Sequence, residues 1–137
     1  MKKFLAAALV LMLLCTPLAL ADNMMVHITA ICDDPNHVGT YWQGLYAIGD
    51  LEIHDGDVID LDVAKYEFYT EIGEYDSSPD IGSADTLYNV TENRLLKGFT
   101  VEQYVTVTEN KGVYKGYWTE WYVRYDFIPV GYGVTLH

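Results

Sequence analysis

From residue 22 onward, apolar and polar residues alternate with a period of two over most of the chain. In residues 24–31, Val26, Ile28 and Ala30 alternate with His27 and Thr29, the spacing that puts apolar side chains on one face of an extended strand. Residues 41–48 and 51–53 read as further extended segments, and the β-branched and aromatic residues 58–69 as one or two strands. The clearest alternation is in residues 99–108. Phe99, Val101, Val105 and Val107 share one face there; Thr100, Glu102, Tyr104, Thr106 and Thr108 share the other. Residues 113–127 read as a long returning strand with Val113, Tyr117, Trp121, Val123 and Tyr125 on one side. Glu109-Asn110-Lys111-Gly112 joins the two as a hairpin connection, with Gly where a left-handed residue is wanted.

Turn chemistry separates these segments. Asp33-Asp34-Pro35-Asn36-His37-Val38-Gly39 breaks the first strand, Gly49-Asp50 the second, and Asp55-Gly56 is a strong hairpin signal. Residues 76–83 read as loop and 86–90 as a short strand. Residues 91–98 alone lean toward helix, and they are too few to hold one by themselves. Six to eight strands without an amphipathic helix predict an all-β fold, an antiparallel β-sandwich.

Residues 1–21 depart from this pattern. Lys2 and Lys3 precede an apolar run, residues 4–14, and Ala19-Leu20-Ala21 places small residues at an A-x-A position. This is the layout of a secretory signal peptide cleaved after Ala21, leaving one domain, residues 22–137, in a secreted or extracytoplasmic location. The apolar run is too short to span a bilayer, so no transmembrane segment is expected in the mature chain. Leu14 is large where a lipid-modified cysteine follows a small residue, which argues against an anchor on Cys15. The Lys-Lys-Phe start has a bacterial character.

Charge narrows the partners. Without Lys2 and Lys3, six basic residues face twenty acidic ones, and formal charge moves from −12 to −14. Phosphate contacts need Lys and Arg, so nucleic acid and anionic lipid are poor partners. Half the residues are hydrophobic, which favours a folded core over disorder. Cys32 is the one cysteine beyond the leader, so no internal disulfide is expected, and it reads as a small buried residue at a strand end.

Twelve of the twenty acidic residues lie between Asp50 and Asp85, with Lys65 as the single base among them. Within that stretch Glu71, Glu74, Asp76 and Asp80 fall inside ten residues, with Gly73, Ser77, Ser78 and Pro79 to curl the backbone. Carboxylates this close repel one another and need either solvent or a cation. Ca²⁺ takes about six to eight such oxygens at flexible geometry. The spacing is not that of an EF-hand loop.

The segment resembles a C2 domain. Glu74-Tyr75-Asp76 followed by Asp80-Ile81-Gly82 is similar to a C2 calcium loop, and residues 26–32 followed by Asp33 and Asp34 are similar to the first C2 strand and its loop. The similarity covers residues 26–82. Glu74 stands where the family usually has Asp, the loop to Asp80 is about two residues short, and no Asp-Pro-Tyr follows the first loop. The resemblance implies a C2-like sandwich and a Ca²⁺ site made of Asp33, Asp34, Glu74, Asp76 and Asp80.

Aromatic residues form a second constellation. Strand parity places Trp118 and Tyr122 with Tyr114 on one face, and Tyr117, Trp121 and Tyr125 on the other. Both rows cannot be core, so one is expected to be partly exposed. Exposed rings beside carboxylates suit sugar binding; a cross-strand ladder that only stabilises the sheet is the plainer reading. For catalysis, Cys32 with His27, His37 or His54 lacks an orienting motif, and the histidines show no zinc spacing. Catalytic residues are therefore not expected, and a small secreted hydrolase is the remote alternative. The leading expectation is a secreted, non-catalytic, C2-like binding module with a protein, glycan or other surface partner. A carbohydrate-binding module using Trp118, Tyr122 and Tyr114 is the rival.

Overall fold

A computed structural model describes residues 22–32, 38–39, 41–76 and 78–131. Eight strands and one short helix follow in order: β1 Asp22–Cys32, β2 Trp42–Ile48, β3 Leu51–Glu52, β4 Val58–Leu61, β5 Ala64–Glu74, β6 Asp80–Val90, α1 Glu92–Lys97, β7 Phe99–Thr108 and β8 Trp118–Pro129. They form two four-stranded sheets, β4-β1-β8-β7 and β3-β2-β5-β6. Every pairing is antiparallel. The all-β sandwich expected from the alternation is the fold.

The period of two sets what lies between the sheets. Val101, Val105 and Val107 are buried as their spacing predicts, together with Val123, Tyr125 and Phe127 across the β7–β8 ladder. Phe68 sits at the centre, edge-on to Tyr88, Tyr125 and Phe127 at 5.6–6.1 Å. Such pairs contribute about 0.5–1.5 kcal/mol beyond their buried area. At one lateral edge β6 meets β7, and a Cβ on Gly82 would overlap the Thr106 carbonyl, so the sheets close there only with glycine. Arg94 of α1 lies over the Tyr88 ring at 4.5 Å, a cation–π contact that pins the one helix to the seam.

Three expectations change, while residues 58–69, read as one or two strands, hold two in different sheets. The Asp55-Gly56 turn is not a hairpin: β3 belongs to one sheet and β4 to the other, so it carries the chain across the sandwich. Val26 fixes that crossing by exchanging backbone hydrogen bonds with Asp57 and Gly56. Residues 71–74 and 80–83, read as part of an acidic loop, are strand; β5 and β6 pair without a break from Ala64↔Val90 to Glu74↔Asp80. Glu71 and Asp85 lie on the outer face, where carboxylates are solvated and do not end a strand, while Glu74 and Asp80 turn inward. Finally, residues 113–117 are not strand. Val113 is 92% exposed, and Glu109 N–H and Gly116 N–H bond to Tyr117 and Glu109 carbonyls to close a long β7–β8 connection.

The register brings three connections to one end. β1 ends where Cys32 faces Trp121, β7 and β8 end where Thr108 faces Trp118, and in the other sheet Trp42, Glu74 and Asp80 lie in one row. The β1–β2, β5–β6 and β7–β8 connections therefore leave from the same end.

Candidate functional site

Glu74 is the side chain at this end that elementary chemistry least expects. On β5 it shares parity with Phe68, Thr70 and Ile72, all buried, so the strand carries its carboxylate between the sheets with 3% of the residue exposed. Oε2 has no hydrogen-bond partner among the described residues. A Cβ on Gly39 would overlap the carboxylate, so the chain crosses Glu74 closely where only glycine fits. The Trp42 indole N–H donates to the Gly39 carbonyl at 3.2 Å and holds that crossing. Burial pushes the Glu74 carboxyl above its ordinary value. The charges of Asp76, Asp80 and Glu109 push the same way, partly offset by the Asp76 backbone N–H.

Its neighbours are differently placed. Asp80, paired with Glu74 across the ladder and also buried, accepts the Asn110 backbone N–H at 3.0 Å and the Asn110 amide at 2.7 Å. That contact ties the β5–β6 and β7–β8 connections together, as does Lys111 Nζ donating to Ser78 Oγ at 3.2 Å. Asp76 is exposed, and its Oδ1 accepts the Ser78 N–H at 2.6 Å, the local turn bond an Asp makes in a tight loop. Beside the row, the Trp42 and Trp121 rings meet at 5.1 Å, and Trp121 Nε1 is buried without a partner among the described residues.

Of the five expected metal ligands, Glu74, Asp76 and Asp80 thus lie at one end. Asp33 and Asp34 fall outside the described residues. Among the described residues, no three His, Cys, Asp or Glu side chains are gathered closely enough to hold a metal ion. The donor that fits one best is Glu74, whose buried oxygen lacks a proton donor. Sequence reasoning named Glu74 as a loop ligand; it missed that Glu74 points inward, and it missed Asn110, Glu109 and Trp42 around it. Extending the parity of Phe68, Thr70 and Ile72 by one more step would have found the first.

The aromatic residues divide as their parity says. Trp121 and Tyr125 face the core, and Trp118 and Tyr122 face out, with Trp118 55% exposed. Tyr114 belongs instead to the β7–β8 connection and meets Tyr117 edge-on at 5.7 Å. Tyr122 lies against Tyr104 at 5.4 Å with a 48° tilt, and its hydroxyl donates to Glu102 at 2.5 Å. These rings do not form one flat platform. Cys32 Sγ lies 3.1 Å from the Thr119 hydroxyl, while His27 sits on the outer face against Asp55 at 3.4 Å. His54 lies between Glu52 and Asp57. No cysteine–histidine pair forms among the described residues.

No family model matches this chain, and no curated protein or solved structure is similar to it.

Proposed function

We propose that this protein is a secreted, non-catalytic binding module that uses the three-connection end of its sandwich and holds Ca²⁺ there through Glu74. The reading keeps the C2-like arrangement as a proposal, with Asp76 and Asp80 beside Glu74 and with Asp33 and Asp34, which follow β1 in sequence, as the further ligands. The single observation that carries it is the buried, partnerless Oε2 of Glu74, set among Asp76, Asp80 and Glu109. Leaving a buried carboxylate oxygen without a donor costs about 1–3 kcal/mol or more. A hard cation removes that cost and the mutual repulsion together.

Extracellular calcium modules bind with constants of about 10⁻⁴–10⁻³ M. At about 0.1 mM affinity, about 1 mM Ca²⁺ stabilises the fold by about 1.4 kcal/mol through mass action, a rise of several degrees in melting temperature for a domain of this size. The test is a thermal melt in CaCl₂ against NaCl of equal ionic strength. Wild type should rise more in CaCl₂, and Glu74→Gln should lose the difference. An equal rise in both salts would leave Glu74 a protonated, structural side chain.

A further inference from the structure

The edge of β2 carries a second site, unrelated to the calcium reading. On this strand the backbone groups of Tyr41 and Gly49 bond toward β5: Tyr41 accepts Tyr75 N–H at 3.0 Å, and Gly49 donates to Glu67 at 2.8 Å. Alternate residues therefore face the other way. Tyr46 confirms it, because its carbonyl accepts Ile53 N–H at 2.9 Å on the β3 side. By the same parity, the N–H and C=O of Gly44 point out of the sheet. Yet β3 pairs only Ala47 and Ile48, and after Ile53 the chain leaves for the other sheet. Gly44 is exposed, and none of the hydrogen bonds among the described residues uses its outward groups.

An open strand edge is a template for another extended segment. Here it borders a cleft of about 220 Å³ on the outer face of the sheet, lined by Gln43, Gly44, Leu45, Glu52, Glu71 and Tyr75. The opposite lateral edge is closed by β6 against β7, so it offers no such row. Among the described residues that line the cleft are two carboxylates and no Lys or Arg, and His54 lies beside one of them, Glu52, at 3.4 Å. A guest residue opposite Leu45 would project beside Glu52 and Glu71, while the Leu45 side chain and the Tyr75 ring give it an apolar floor. A second copy of this chain would bring the same carboxylates face to face in a protein of net charge −12, which Coulomb repulsion disfavours.

We propose that the β2 edge at Gly44 accepts a short extended peptide segment carrying Lys or Arg, which continues β3 as a new strand and places its basic side chain between Glu52 and Glu71.

The probe is a six-residue peptide alternating Lys and Val, with a Glu–Val peptide as control, followed by fluorescence anisotropy and by amide hydrogen exchange at Gly44. The Lys peptide should bind, slow exchange at Gly44 and weaken as salt is raised; the Glu peptide should not bind. The Glu52→Gln/Glu71→Gln double variant alters the exposed Glu52 and the half-buried Glu71 on the outer face. The amide oxygen that replaces the Glu71 carboxylate can still accept the Tyr69 hydroxyl, so the variant should stay folded while losing affinity by about tenfold, the equivalent of about 1.4 kcal/mol. Binding that leaves Gly44 exchange unchanged would overturn the proposal, because a generic charge attraction needs no backbone pairing. Equal affinity in the double variant would overturn it too. Gly44 protection that rises with protein concentration in the absence of peptide would show a second copy as the occupant and overturn the basic-peptide assignment. None of these outcomes depends on whether Glu74 binds Ca²⁺.

Discussion

Two polar groups lie in the same gap between the sheets and are held in opposite ways. At the centre, Thr70 donates to Gln103 Oε1 and receives the Tyr125 hydroxyl. The Gln103 amide donates to the Phe68 carbonyl at 2.9 Å and to the Thr86 hydroxyl at 3.0 Å. All four side chains thus find partners within the protein, across both sheets. At the three-connection end, Glu74 and Trp121 each keep a buried atom with none among the described residues. A saturated network fixes one packing of the two sheets, since any shift leaves several groups unpaired. An unsaturated one lowers stability unless a water, an ion or a ligand completes it.

The difference can be broken from the central side first. Gln103→Ala removes a side chain that satisfies Thr70, Phe68 and Thr86 and leaves a cavity, and it should destabilise the domain by about 3 kcal/mol. Chemical denaturation measures this, and a loss below about 1 kcal/mol would show that water replaces the amide easily. Next in size is Val105→Ala, fully buried on the same strand, at about 2 kcal/mol. Thr106→Ala, its exposed neighbour, should stay within about 0.5 kcal/mol. Equal losses for the two would mean that β7 does not present the faces described.

The smallest effect sharpens the other side. Glu74 has a folded-state carboxyl pKa raised by burial and by neighbouring charge. A raised acid binds its proton more tightly when folded, so its stabilising contribution is complete below the ordinary value of about 4.5 and is lost as pH climbs through the raised value. Asp126 has the opposite sign. Burial pushes its carboxyl up, but Arg124 and the Thr100 hydroxyl outweigh that and hold it low. Its contribution is lost only as pH falls below the ordinary range. Melting temperature followed upward from pH 4 should therefore decline in wild type and flatten in Glu74→Gln. Added Ca²⁺ should reverse the decline; a wild-type profile that rises through this window would place Glu74 in a solvated setting.

Aromatic residues make the same contrast between what is local and what is not. The parity of Trp118, Trp121, Tyr122 and Tyr125 could be read directly, because side chains on a strand must alternate. Which row faces the core followed from the β1–β8 and β7–β8 pairings that set Tyr125 beside Ile28 and Val101. Tyr114 and Tyr117 were misassigned to the strand because an aromatic, β-branched stretch has the composition of a strand even where Gly112 and Gly116, both at positive φ, turn the backbone away.

Local rules alone determined that this chain forms strands, that residues 99–108 bury their valines, that residues 91–98 lean toward helix, and that the acids crowd into one segment. Each depends on neighbours two to four positions apart, and backbone geometry fixes those relations wherever the chain goes. Tertiary structure alone decided that Asp55-Gly56 crosses between sheets, that Gly39 packs over Glu74, that Asn110 meets Asp80 from thirty residues away, and that no described strand covers the β2 edge at Gly44. These depend on which strands become neighbours, and that choice is made by the burial of both sheets at once. The alternation that makes a strand is the same for every partner it could take.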